Sequence, residues 1–243
     1  MTRPLGAGLL VVAFLLGGTI PSGAADPLVR RAVSTFFRDA EVLRVDVVPD
    51  LYEGGYARVS VYAANATLAE GGLRIDEAWT RLVGVSFNPK ALRAGEFRVD
   101  GVRDTAIHMR VSLPNLERYF VERNPWKDIR LWAQDGYLHG RGTVPLGGVP
   151  TRVELRGFFA AGNTPELYFY VDRLRVNGLP VPDPLLREME RRYNPLLTQD
   201  DWPVRFKLRS VRLVGTNLIV SSQSHFGDGC TFCGGGDPGT PTP

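Results

Sequence analysis

The sequence predicts an α+β fold, with a long curled antiparallel β-sheet wrapped around amphipathic helices. Three observations carry this expectation. Period-two alternation of apolar and polar residues, broken by Gly, Asn and Pro turns, fills most of the chain from about residue 43 to 222. The few helical-period stretches do not alternate strictly with the strands, which excludes a doubly wound parallel sheet. Two strand-like runs also change apolar parity part-way, as a β-bulge or sharp bend would make them do. About ten strands cannot stay flat in one sheet, so they curl or split.

The elements follow in order. Residues 1–25 read as a secretory leader. Arg3 is the one side-chain charge ahead of the apolar run "LLVVAFLL" (9–16), and "SGAAD" offers small residues for cleavage after Ala24 or Ala25. The run is short for a bilayer span, and no cysteine marks a lipid-attachment site. The expectation is an exported protein: periplasmic, wall-associated or secreted. Residues 26–223 form the folded domain, and 224–243 a Gly/Pro-rich tail.

Asp26-Pro27 is a helix start, with a capping carboxylate and a proline in the first turn. Leu28, Val29, Ala32, Val33, Phe36 and Phe37 then recur at helical spacing, so the helix is expected to reach about Ala40. Leu43, Val45 and Val47, a Glu-Gly-Gly turn, and Ala57, Val59, Val61 and Ala63 make a hairpin with one wet face. A long strand run covers 73–87, ending in a turn at Asn88-Pro89. Phe97, Val99, Ile107, Met109 and Val111 share one parity. Ser112 to Arg123 is a short helix with Leu113, Leu116 and Phe120 on one face. Residues 128–161 form a meander with a turn at 134–136. The parity switches fall in 167–176 and 204–214; each run is either one bulged strand or two short ones. Leu218 to Ser222 closes the domain.

The segment "RLRVNGLPVPDPLLREMERRYNPLL" (173–197) joins a strand end directly to an amphipathic helix. Leu185, Leu186, Met189 and Tyr193 form its expected inward stripe, with Arg187, Glu188, Arg191 and Arg192 in water. "DPLVRRAVSTFF" and "DPLLREMERRY" begin alike, but two ordinary Asp-Pro helix starts explain this.

Composition sets few demands. Apolar residues make up 44% of the 243 and charged ones 23%, enough for a large core. The net charge is +3, and loss of Arg3 with the leader brings it to +2, so there is no nucleic-acid footprint. Of the 29 basic residues only Lys90, Lys127 and Lys207 are lysines, a skew that GC-rich coding produces.

Catalytic signals are sparse. There is no G-x-S-x-G, H-E-x-x-H, P-loop or strand-borne G-x-G-x-x-G. The imidazoles are His108, His139 and His225; the first two fall on strands, where structural or surface roles are expected. Cys230 and Cys233 in the tail are compatible with a local disulfide, half a metal site or a redox pair. Export favours the disulfide; glycines follow rather than a helix that would lower a thiol pKa; and His225 brings the metal ligands to three at most. Asn65-Ala66-Thr67 fits the glycosylation pattern, with nothing else to invoke it.

The order of features resembles the bacterial LmeA-like phospholipid-binding family. The resemblance covers about residues 27–222 and is carried by "LRIDEAWTRLVGVSFNP", "SLPNLERYF", "VNGLPVPDPLL", "NPLL" and "VRLVGTNLIVSS". It implies a tubular lipid-binding-like fold with an apolar groove. The expected function is then non-catalytic binding or transfer of phospholipid or another fatty-acyl lipid, with transient contact with a membrane surface and no cofactor, metal or nucleic acid. Candidate groove-lining residues are Val33, Phe36, Phe37, Leu116, Phe120, Leu185, Met189 and Tyr193. Each fits a sealed core equally well. The alternatives are a fully packed structural or adhesive envelope protein, and a thiol oxidoreductase acting through Cys230 and Cys233.

Overall fold

Helix α1 (Pro27–Phe36) starts on Asp26, whose carboxylate accepts the Leu28 N–H at 2.8 Å. Val29, Ala32, Val33 and Phe36 form its buried stripe. The computed structural model describes residues 26–50, 55–69, 71–123, 127–146, 148–162, 164, 166–196 and 202–223. Residues 1–25, where a leader was expected, and the tail with His225, Cys230 and Cys233 lie outside these residues, as do the side chains of Met189 and Tyr193. Helix α1 stops sooner than its periodicity predicts. Phe37 is already extended, and β1 (Phe37–Arg38) pairs with Leu68 and Thr67. Two adjacent apolar residues suit a helix stripe and a helix-to-strand junction alike, so spacing alone could not place Phe37.

The first sheet holds seven strands. The hairpin of β2 (Val42–Pro49) and β3 (Tyr56–Leu68) leads to β4 (Arg74–Phe87) and β5 (Val99–Ser112). The late strands β11 (Ser210–Val214) and β12 (Asn217–Ser221) return to it, giving the order β1-β3-β4-β5-β12-β11 with β2 also on β3. All pairings are antiparallel. In β3 the buried residues are Val59, Val61 and Ala63, then Ala66 and Leu68. The change of parity falls at Asn65, which has φ of 50°. Asn is among the few non-glycine residues that enter this region readily, so Asn65 turns the strand over while its pairing with β4 continues.

Asn88-Pro89 is more than the turn expected from sequence. The Asn88 side chain accepts the Lys90 and Ala91 N–H groups and caps helix α2 (Pro89–Ala94), which ends at Gly95 with φ of 81°. Thr35 of α1 donates to the Gly95 carbonyl at 2.7 Å, tying the two helices together.

Helix α3 (Leu113–Arg123) follows β5 directly and starts a second sheet of β6 (Lys127–Gln134), β7 (Tyr137–Leu146), β8 (Val149–Ala161), β9 (Leu167–Val176) and β10 (Leu179–Pro180). Its order is β10-β9-β8-β7-β6, again all antiparallel. The strands therefore divide between two sheets rather than forming the single curled sheet expected. Both contribute to one core: Ile129, Leu131, Leu138 and Leu167 join the cluster of Val59, Leu82, Met109 and Val111.

The bulge expected in 167–176 is present. Register shifts between Arg156 and Gly157 of β8, leaving Asp172 of β9 as the extra residue between Val171 and Arg173. The Asp172 carboxylate accepts from Arg156 Nε at 2.6 Å. Gly157 opposite is required: a Cβ there would lie 2.4 Å from the Tyr170 carbonyl oxygen and 2.5 Å from the Phe169 ring. In 204–214 the outcome differs. Ser210–Val214 is a strand, but 202–209 pairs in no ladder and runs as an extended strap, with Trp202, Val204, Phe206 and Leu208 buried.

Helix α4 (Asp183–Tyr193) begins on Pro182 without a side-chain cap, so its Asp-Pro pair does not act as Asp26-Pro27 does. Leu186 is buried against Val153 and Leu174. Leu185, expected to face inward, is 57% exposed. Leu186 keeps the inward place expected of it, while Leu185, about 100° away round the helix, falls outside the contact with the sheet. Its other task is at a sheet edge. Glu190 accepts the Val171 N–H at 2.7 Å, and Asn194 beyond the helix pairs with Phe169. The helix is launched abruptly from the strand end because it must fold back over β9, whose edge would otherwise carry unpaired backbone groups. Helix α3 does the same at the opposite edge, where Glu117 accepts the Leu131 N–H of β6 at 2.6 Å.

Candidate functional site

The strap 202–209 lies against α1 and the apolar face of the first sheet. Beneath its start is an apolar pocket lined by Phe36, Phe37, Val61, Ala78, Phe97, Ile107, Met109, Trp202 and Val204, among others. Helix α1 supplies Phe36 because its stripe faces the sheet, and β1 supplies Phe37 from the next position. The rings form a continuous run: Phe36 and Phe37 pack edge-on at 4.9 Å, Phe36 meets Phe97 at 6.3 Å and Trp202 at 6.4 Å, and Trp202 meets Phe206 at 5.0 Å. The free volume is about 10 Å³, room for about one water molecule at most. With the strap down, the pocket is packed.

Above it opens a cleft of about 1180 Å³ between the strap and the first half of β5. The two spaces share Phe97, Trp202, Pro203 and Val204. The cleft exists because β12 pairs with His108 to Ser112 alone, so residues 99–106 have a ladder partner only on the β4 side. Its rim is cationic: Arg81, Arg98, Arg103, Arg205, Lys207 and Arg209 stand against Asp100 and Asp104. Strap alternation produces this, burying the even-numbered residues and presenting Arg205, Lys207 and Arg209 to water. Trp202 is 9% exposed, yet its indole N–H has no acceptor among the described residues. A buried unpaired donor costs about 1–3 kcal/mol.

The other sequence-derived candidates scatter. Val33 is fully buried on α1 and Leu116 is buried on α3. Phe120 packs against the core beside Tyr119, with ring centroids 5.9 Å apart. None of these three lines the pocket beneath the strap. Leu185 is exposed on α4, so of the candidates whose side chains are described only Phe36 and Phe37 come together in the pocket. Sequence reasoning missed Phe97, Trp202 and the strap cations. The alternation of 204–208 was visible, but it reads the same in a strand and in an unpaired extended segment.

Chemically the arrangement suits binding. Neither space is lined by His or Cys, and among the described residues no cluster of His, Cys, Asp and Glu is placed to hold a metal ion. Burial pushes the His108 imidazole below its ordinary pKa. From Phe97 the rings continue through Phe87 at 5.5 Å to Tyr56 at 5.6 Å, and Tyr56 donates to Asp26 at 2.5 Å. That bond holds the Asp26 carboxyl below its ordinary range, and burial together with the same carboxylate raises the Tyr56 phenol. No helix among the described residues is long and apolar enough to cross a membrane. Comparison with protein-family models, curated proteins and solved structures finds no match for this chain.

Proposed function

We propose that the protein is an exported, non-catalytic binder or carrier of acyl-chain lipid, loaded between α1, the first sheet and the 202–209 strap. The observation that carries this is an aromatic-lined apolar pocket joined to an open cationic cleft through shared residues, among them Trp202, whose buried indole N–H has no acceptor among the described residues. A lipid has the matching parts: an apolar chain, a carbonyl or carboxylate that accepts from the indole, and an anionic end for the rim arginines. A buried methylene is worth about 0.8 kcal/mol, so a long acyl chain supplies on the order of 10 kcal/mol before ordering costs. The strap it would displace is held by the buried Trp202, Val204, Phe206 and Leu208 and by backbone bonds from the Leu208 and Arg209 N–H groups to the Thr164 and Ser221 carbonyls, so lifting it offsets part of that gain. The resemblance to LmeA-like proteins, with the tubular wrap it implies, belongs to this same reading.

A specific observation favours the packed structural alternative: the pocket holds about 10 Å³. Lipid entry therefore requires the strap to lift. Native mass spectrometry of the protein secreted from an exporting host, with extraction of any bound molecule and uptake of a fluorescent fatty acid or phospholipid, tests the proposal. A discrete adduct identified as lipid, with uptake of the fluorescent lipid, is the expected result. A clean mass with no uptake establishes the packed alternative.

A further inference from the structure

The second sheet has one face in solvent, and its contents are not those of an ordinary wet face. Residues directly opposite on neighbouring strands share a face, so the registers group its side chains. Trp132, His139, Arg156 and Arg173 form one row across β6 to β9. Arg130, Arg141, Glu154 and Arg175 form the next, and Arg152 lies beyond. On the other side of the first row stand Tyr137, Phe158 and Tyr170. The face thus has an arginine band and an aromatic band.

Six arginines there meet two carboxylates, Glu154 and Asp172, on a chain whose total net charge is +3. Arg152 pairs with Glu154 at 2.8 Å, Arg156 with Asp172, and Arg130 lies 3.8 Å from Glu117 of α3. Arg141, Arg173 and Arg175 are exposed and make no ion pair among the described residues. The aromatic side chains are equally exposed: Trp132 39%, Phe158 40% and Tyr170 39%. They are held in place by their neighbours. Trp132 stacks on His139, Phe158 meets Tyr170 at 5.6 Å, and Arg156 sits 4.9 Å over the Tyr137 ring.

We infer that this face docks the protein on an anionic membrane surface. Arginine fits lipid phosphates through its planar fork of donors. Tyr and Trp favour the headgroup level, where one part of the ring is wet and the other apolar. The arginine band lines a shallow concavity of about 320 Å³, wide enough to take lipid phosphates, and the aromatic band stands beside it, so one face offers a bilayer surface each kind of contact at once. The choice of a membrane over other polyanions rests on the exported lipid-handling reading. The face itself is separate from the strap, the pocket and the cleft.

The test is co-sedimentation of the secreted protein with vesicles of phosphatidylcholine, with and without phosphatidylglycerol. Binding to the anionic vesicles alone is expected, with loss in about 1 M salt, where the Debye length is about 3 Å. Each arginine near such a surface is worth about fivefold in affinity. The triple variant Arg141→Gln/Arg173→Gln/Arg175→Gln should therefore lower affinity roughly a hundredfold, with an unchanged melting temperature. Trp132→Phe should remove most of the vesicle-induced shift in tryptophan emission. Equal binding to both vesicle types, no binding, or an unaffected triple variant overturns the inference. So does preferential binding of single-stranded DNA or an acidic polysaccharide over the vesicles. A protein that carries extracted lipid but ignores anionic vesicles overturns this inference alone; one that binds vesicles but never holds lipid overturns the carrier reading alone.

Discussion

Asn194 pairs with Phe169 as a strand neighbour would. The Phe169 N–H donates to Asn194 Oδ1 at 2.9 Å, and Asn194 Nδ2 donates to the Phe169 carbonyl at 2.8 Å. One side-chain amide thereby satisfies both backbone groups of an edge residue. Asn194→Ala should destabilise the protein by about 2 kcal/mol, the worth of two such bonds in a partly buried setting. Asn194→Asp keeps one acceptor but sets a carboxylate oxygen against the Phe169 carbonyl oxygen, so it should cost at least as much as Asn194→Ala. Urea unfolding gives the stability, and hydrogen exchange at the Phe169 amide should accelerate in step.

Glu190 and Glu117 cap the two sides of the second sheet, accepting from Val171 and Leu131. Each change to Ala should cost about 1–2 kcal/mol by leaving an edge N–H unpaired. The sites are three strand spacings apart, about 14 Å, so the double variant should be additive. It should also aggregate faster, because bare strand edges template further pairing. Light scattering during incubation at moderate temperature checks this; no increase over the single variants would show that the edges are protected by other means.

The Asp26–Tyr56 bond makes stability depend on acid pH. The folded state holds the Asp26 carboxyl below its ordinary value, chiefly through the Tyr56 hydroxyl. Its contribution is therefore complete above the ordinary carboxylate pKa of about 3.9 and is lost as pH falls through the lowered folded value. Tyr56→Phe should be less stable than wild type at neutral pH, and the gap should narrow in acid. Asp26→Ala removes the cap as well and should cost about 1 kcal/mol. Thermal melts across the acid range measure both.

Gly157 leaves no space for a side chain beside the Asp172 bulge. Gly157→Ala should cost about 1–3 kcal/mol, because the obstructing Tyr170 oxygen belongs to the backbone and cannot rotate away. Gly140→Ala, whose Cβ would meet flexible leucine ends at 3.0 Å and beyond, should cost less. Equal effects on unfolding would show that the bulge yields.

Local alternation and caps were legible because they depend on neighbours in sequence. The Asp26 cap, the hairpin of β2 and β3, the long β4 and β5, the helix α3 and the parity change at Asp172 all follow from residues a few positions apart. The site was less legible. Phe36 and Phe37 stand out in the sequence, but Phe97 and Trp202 join them from far along the chain, and nothing local marks that meeting.

The sequence by itself determined which residues are apolar, where strands turn, and that the domain is built of antiparallel strands with few helices, since period and turn chemistry are local properties. Tertiary structure alone decided that the strands form two sheets, that 202–209 is a strap rather than a strand, and that α4 guards the edge of β9. It also decided that Leu185 faces outward while Leu186, expected inward with it, is buried. These outcomes depend on which backbone groups remain unpaired once the sheets have formed, and on which surface is near enough to cover them.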